Sequence, residues 1–163
     1  MVQGWFGGAE GRCSDFNRAM LAGDAESMGG CLRRITWESF SYFDAGFDGA
    51  ESFYHGFVLG LVVELHGRFV VRSNRESGYG RYDVCLEPVD KAADPAIVLE
   101  FKVARRGETL EDSVADALRQ VSEKRYAADL IAAGCSESRV LEYAIAFRGK
   151  ECLVGRADSV WRE

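Results

Sequence analysis

The sequence predicts an α/β protein whose elements run α-β-β-β-α-β, with further helices ahead of that core and one short strand after it. Three observations predict this. Phe53, Phe57, Leu61 and Leu65 recur every four residues, close to the period of a helix. Three stretches rich in β-formers follow between residues 68 and 103 with short connections, the pattern of a meander. A second helical stripe, carried by Leu110, Val114, Ala117, Leu118, Val121, Ala128 and Ile131, leads into a last apolar run at 140–147.

Taken in order, residues 1–13 are glycine-rich and read as a leader or the scar of a longer chain. Residues 14–163 read as one domain, a length suited to a single core. The string SDFNRAMLAGD predicts a short helix from Ser14 to near Gly23, and a second helix is expected over 25–40, weakened by Gly29 and Gly30. Residues 44–49 read as a turn. Asp48 and Glu51 then fit a capping box, in which the Asp carboxylate takes an orphan N–H and the Glu reaches back. That helix should cover 48–66 and stop at Gly67. A strand is expected over 68–73 and a loop over 74–81. In the next strand, 82–89, Tyr82, Val84, Leu86 and Pro88 alternate with Asp83, Cys85 and Glu87. Ala96 to Val103 is bounded by Pro95 and an RRG turn. Thr109 with Asp112 is a second cap, opening a single long helix over 110–133 that ends at Gly134 as C′ residue. Strands at 140–147 and 152–154 are joined by a tight RGKE turn.

Composition narrows the class. Apolar residues make up 47% and there are only two prolines, which argues against disorder. No run of about 18 apolar residues is present, and the first residues lack a basic segment followed by an apolar one. A cytoplasmic setting is therefore expected. The five cysteines are odd in number and the nearest two stand 17 positions apart, which excludes a zinc ribbon and a disulfide framework. No nucleophile elbow supports serine or cysteine hydrolysis, and no GxxxxGK[ST] string encodes an ATPase. The net charge of −6 speaks against a nucleic-acid partner. Its distribution speaks the other way, because bases gather at Arg68–Arg81, at Lys102, Arg105 and Arg106, and at Arg119, Lys124 and Arg125.

The chemistry lies on the strands. Glu100 and Lys102 stand at i and i+2 and so share one face of an otherwise apolar run. Such a pair is expensive to bury unless it is partnered or serves a reaction. Asp83, on the preceding strand, is placed to meet Glu100 across the ladder. Two converging carboxylates make an oxygen-only site for a hard cation such as Mg²⁺ or Mn²⁺. The bland reading of the same residues is a structural ion-pair cluster on a half-wet sheet face.

Asp83 followed by Glu100-Phe101-Lys102, on the second and third strands of such a core, resembles the PD-(D/E)XK nuclease superfamily. ESFYHGFVLGL (51–61), SNRESGYGRYD (73–83), LEFK (99–102), ALRQVSEKRY (117–126) and AFRGK (146–150) resemble one branch of it. That branch is the nuclease-like domain found behind an AAA-type ATPase-like domain in many bacterial proteins. The resemblance implies a restriction-endonuclease-like αβββαβ core, a central mixed sheet flanked by helices, with extra N-terminal helices. It implies Mg²⁺- or Mn²⁺-dependent phosphodiester hydrolysis of nucleic acid, with DNA expected, and an AAA-type ATPase as partner. Asp83 and Glu100 match the family's metal-binding pair, Lys102 its catalytic lysine, and Glu51 the acid on the first core helix. Glu51 read without the family is only the far member of a capping box, and His55 only a structural histidine. Arg81, on the face of Asp83, and Gln120 and Lys124, one turn apart on the long helix, are the expected nucleic-acid contacts. Arg75 reads as structural. Related nucleases place a Gln and a Tyr four apart, whereas Tyr126 stands six from Gln120 and reads as packing. The rival reading is an inactive nuclease-like adaptor that works with an ATPase.

Overall fold

The computed structural model describes residues 14–39, 50–77 and 80–157. A five-stranded sheet has the order β1 (Phe69–Ser77), β2 (Gly80–Pro88), β3 (Ala96–Val103), β4 (Val140–Arg148) and β5 (Glu151–Arg156). Neighbouring strands are antiparallel except β3 and β4, which are parallel along their full length, from Ala96↔Val140 to Val103↔Phe147. A parallel pair needs a crossover. Helices α4 (Leu110–Lys124) and α5 (Ala128–Ala132) supply it, and α1 (14–21), α2 (Ala25–Ser39) and α3 (Ala50–Val62) precede the sheet. This is the expected mixed sheet between helical layers, an α/β restriction-endonuclease-like architecture.

Strand alternation divides the core. Ile97, Leu99, Phe101, Tyr143, Ile145 and Phe147 face α1 to α3, where Phe16, Met20, Leu32, Tyr54 and Val58 complete the larger cluster. Tyr54 stacks on Phe147 with ring centroids 4.2 Å apart and donates its hydroxyl proton to the Gly149 carbonyl at 2.8 Å. On the opposite face, Cys85 and Val98 meet Val121, Tyr126 and Leu130, while Ala144 and Ala146 meet Val114 and Ala117. Among the described residues no helix is long and apolar enough to cross a membrane.

Several expected boundaries shift. Residues 74–77 and 80–81, expected as loop, extend β1 and β2, with Arg75 opposite Tyr82 and Glu76 opposite Arg81. Their polar composition hides a backbone ladder. The first core helix gives way to a 3-10 turn at Val63–Leu65 before Gly67, whose φ of 97° needs a residue without a Cβ. The long helix expected over 110–133 is two. Helix α4 ends at Lys124 because Arg125 adopts a left-handed conformation, φ 52° and ψ 48°. Ile131, expected on the buried stripe, is consequently 40% exposed. Thr109 caps α4 as expected, accepting from the Asp112 N–H at 3.0 Å. The leader, the 44–49 turn and Asp48 lie outside the described residues.

Gly155 sits opposite Ala144 under α4, and a Cβ added there would lie 2.4 Å from Val114 Cγ1 and 3.3 Å from Leu118 Cδ1. Gly155→Ala should therefore destabilise the protein by about 1–3 kcal/mol through overpacking, measured as a fall in denaturation midpoint with unchanged slope.

At the far end of the sheet Arg68 Nε donates to Asp94 Oδ2 at 2.9 Å. That hydrogen bond holds the Asp94 carboxyl below its usual 3.8, against burial and aided by the charges of Arg68 and Arg139. A depressed folded pKa stabilises above the unfolded value, and the gain is lost as pH falls through the folded one. Because Arg68 is largely exposed, Asp94→Asn should cost no more than about 1 kcal/mol at neutral pH. The melting gap between variant and wild type should close as the pH drops below 3.8.

Candidate active site

The pairing of β2 with β3 runs from Leu86↔Ile97 to Val84↔Leu99. Strand β2 continues beyond that point with β1 alone, as far as Ser77↔Gly80. The two strands thus part at Asp83 and Glu100. The Asp83 carboxylate stands where the next backbone acceptor would be, its Oδ2 accepting from the Phe101 N–H at 2.7 Å. Alternation from Cys85 and Val98, both packed under α4 and α5, puts Asp83, Glu100 and Lys102 on that one face.

Glu100 is 4% exposed and its Oε1 accepts from Gln120 Nε2 at 2.6 Å. Lys102, half-buried, donates from Nζ to Gln120 Oε1 at 2.9 Å. The Gln120 side chain therefore bridges the acid and the base of the Glu-Phe-Lys string. It reaches them because Glu100 and Lys102 pair with Ala144 and Ala146 on β4, and these small residues let α4 lie close. Gln120, expected at the nucleic-acid surface, engages both residues and also lines the groove beside them.

Tyr126 packs as expected, but its spacing from Gln120 concealed the hydrogen bond between them. On a continuous helix, six positions from Gln120 would turn it away. The left-handed Arg125 instead folds it back beneath α4, where its ring is 1% exposed and its hydroxyl accepts from Gln120 Nε2 at 2.8 Å. Each proton of the Gln120 amide now has an acceptor, and the acceptor-only Glu100 with the donor-only Lys102 settles which way the amide points. The sequence hint is the abrupt passage from Glu123-Lys124-Arg125 to Tyr126-Ala127-Ala128, apolar but out of phase with the stripe before it.

The remaining expected residues are placed less fully. Glu51 lies in the first turn of α3, one turn ahead of His55, whose ring centroid is 5.8 Å from that of Phe101. That contact is with the Phe101 side of β3, the face opposite Glu100 and Lys102. The side chains of Glu51, Arg75 and Arg81 lie outside the described residues. Glu87 is engaged by Arg72 and Lys91, and the Arg72 hydrogen bond holds its carboxyl below the usual range. Lys124 is exposed on α4 and lines a groove that Lys102 also lines. Among the described residues no three His, Cys, Asp or Glu side chains gather as a metal-binding group.

Tyr126→Phe keeps the packed ring but removes the acceptor for one Gln120 proton. A loss of about 1–3 kcal/mol is expected, the cost of an unsatisfied buried donor, measured by chemical denaturation.

Comparison with curated proteins and with solved structures finds no match. A family model described as the PD-(D/E)XK nuclease superfamily matches residues 49–157, a span that begins beside α3 and ends after β5. This span covers the strand fork at Asp83, the Glu-Phe-Lys string and both crossover helices, and the chain belongs to the PD-(D/E)XK nuclease superfamily.

Proposed function

We propose that the chain is a divalent-metal-dependent phosphodiesterase acting on nucleic acid, with DNA as substrate. Membership of the superfamily points to nuclease-type phosphodiester hydrolysis, for which its members generally use divalent metals. The observation that carries the finer reading is the arrangement at the β2–β3 fork. Two carboxylates stand at adjacent strand positions, and a lysine shares their face and an amide partner.

The donor set suits Mg²⁺ or Mn²⁺, being oxygen only. The Phe101 N–H and the Gln120 amide are neutral donors, so they orient the two carboxylates without cancelling their charge. Asp83 and Glu100 would hold the cation, with Glu51 as third ligand. When bound, such a cation polarises a phosphoryl oxygen and acidifies water. The chain's own part is to aim Lys102. Gln120 Oε1 anchors its ammonium on the face it shares with the carboxylates, from which it would steady the nucleophile or the charge that develops on phosphorus. Arg81 and Lys124 are the proposed backbone contacts.

The overall charge of −6 favours the second reading, a catalytically silent adaptor. For either, the branch resemblance makes an AAA-type ATPase domain the proposed partner. Free thiols at Cys31, Cys85, Cys135 and Cys152 fit the proposed cytoplasmic setting.

Incubation with plasmid, linear and branched DNA in Mg²⁺, Mn²⁺ and EDTA tests the proposal. Cleavage should require metal and vanish in Asp83→Ala. Lys102→Ala should fold normally, still take up Mn²⁺, and lose on the order of 10²–10³ in rate, as when one preorganised donor is removed. Absence of cleavage in either metal supports the adaptor, and a fully active Lys102→Ala protein removes the lysine from the mechanism.

A further inference from the structure

A groove of about 430 Å³ opens beside the proposed site, with Lys102 and Gln120 among its lining residues. Lys102, Arg105, Arg119 and Lys124 line it, drawn from two of the basic groups along the sequence. Glu108, Asp116 and Glu123 line it too, so its four cations and three anions leave a balance of one positive charge.

The cancellation is built into the walls. Arg119 is ion-paired with Asp116 at 2.8 Å and lies 3.7 Å from Glu123. Glu108 Oε2 is turned onto the Arg105 backbone N–H at 2.9 Å. The carboxyl of Asp116 is held below its usual range, first by the Arg119 hydrogen bond and also by the fields of Lys102 and Arg105, which marks these groups as neighbours. The cations left to meet a ligand are Lys102, half-buried, and the exposed Arg105 and Lys124.

This balance fits one phosphate row and not two. Duplex DNA carries a negative charge for about every 1.7 Å of its axis, and tight binding neutralises many of them. A groove with one charge to spare, on a chain of net charge −6, has little to offer a duplex. Its volume is of the order of a small-ligand pocket, about 300–1,000 Å³, enough for one extruded nucleotide. No aromatic ring lines it among the described residues, so base stacking contributes nothing here and sequence preference should be low.

We infer that this groove seats one unpaired nucleotide beside the scissile phosphate, so that the substrate is a single-stranded or frayed DNA strand and not an intact duplex. The inference rests on the nuclease reading for its link to cleavage, but its binding test does not. Fluorescence anisotropy of the full chain in EDTA would compare labelled dT12 with a 12-base-pair duplex between 50 and 200 mM salt. The single strand should bind at least about tenfold tighter, with a log–log salt slope of about −0.7 to −1.4, one or two phosphates' worth. The double variant Arg105→Ala, Lys124→Ala should lose about tenfold in dT12 affinity with an unchanged melting temperature. Glu123→Gln, which removes one opposing charge, should strengthen binding. Equal or tighter duplex binding, or dT12 affinity unmoved by the double variant, would overturn the groove assignment even if DNA is cleaved. Selective dT12 binding without cleavage in any metal would leave the groove standing and overturn the nuclease reading.

Discussion

Helix α4 lies against β4 and β5 because the sheet beneath it carries Ala144, Ala146 and Gly155 in place of larger side chains. That close approach is the constraint on which the candidate site depends. A bulkier platform would lift the helix and take the Gln120 amide out of reach of both Glu100 and Lys102. The same contact closes the parallel β3–β4 pair under its crossover, so packing and site geometry are one problem. Gly155 lies on a different strand from every residue of the proposed site, yet its missing Cβ sets their spacing.

The amide between Glu100 and Lys102 also changes the electrostatics of the pair. A buried carboxylate needs donors, and a direct lysine contact would give one at the expense of the charge that a metal requires. A glutamine answers both neighbours at once, donating to the acid and accepting from the ammonium. Glu100 only accepts and Lys102 only donates, so they exclude the flipped amide, and the Tyr126 hydroxyl takes the remaining amide proton. The result is an acid and a base held on one face through a neutral intermediary.

Much of this was legible in the sequence, and the exceptions have physical causes. The run from Ala96 to Val103 declares itself by β-branched density between turn signals, and its observed bounds are the expected ones. The i, i+2 geometry of Glu100 and Lys102 needs nothing beyond strand alternation. The extension of β1 and β2 was hidden because residues 74–81 have no apolar face to betray a ladder. Tyr126 was hidden because its place depends on a single left-handed residue, Arg125, where neither Gly nor Asn advertises the break. That the groups at 102–106 and 119–125 share one groove was hidden for a third reason, since it depends on how α4 packs beside β3 and not on sequence spacing.

The crossover has a further consequence, for the order in which the molecule is assembled. Strands β1, β2 and β3 are joined by short connections, so their pairing closes small loops at low entropic cost. The β3–β4 pair closes the whole of 104–139 and is rewarded only after α4 has docked. Asp83 and Glu100 therefore belong to the early, local part of the fold, and Gln120 and Tyr126 to the late, non-local part. Both acids precede Gln120 and Tyr126 in the chain, and their partners across the crossover are non-local, so the proposed chemistry is complete only in the fully closed fold.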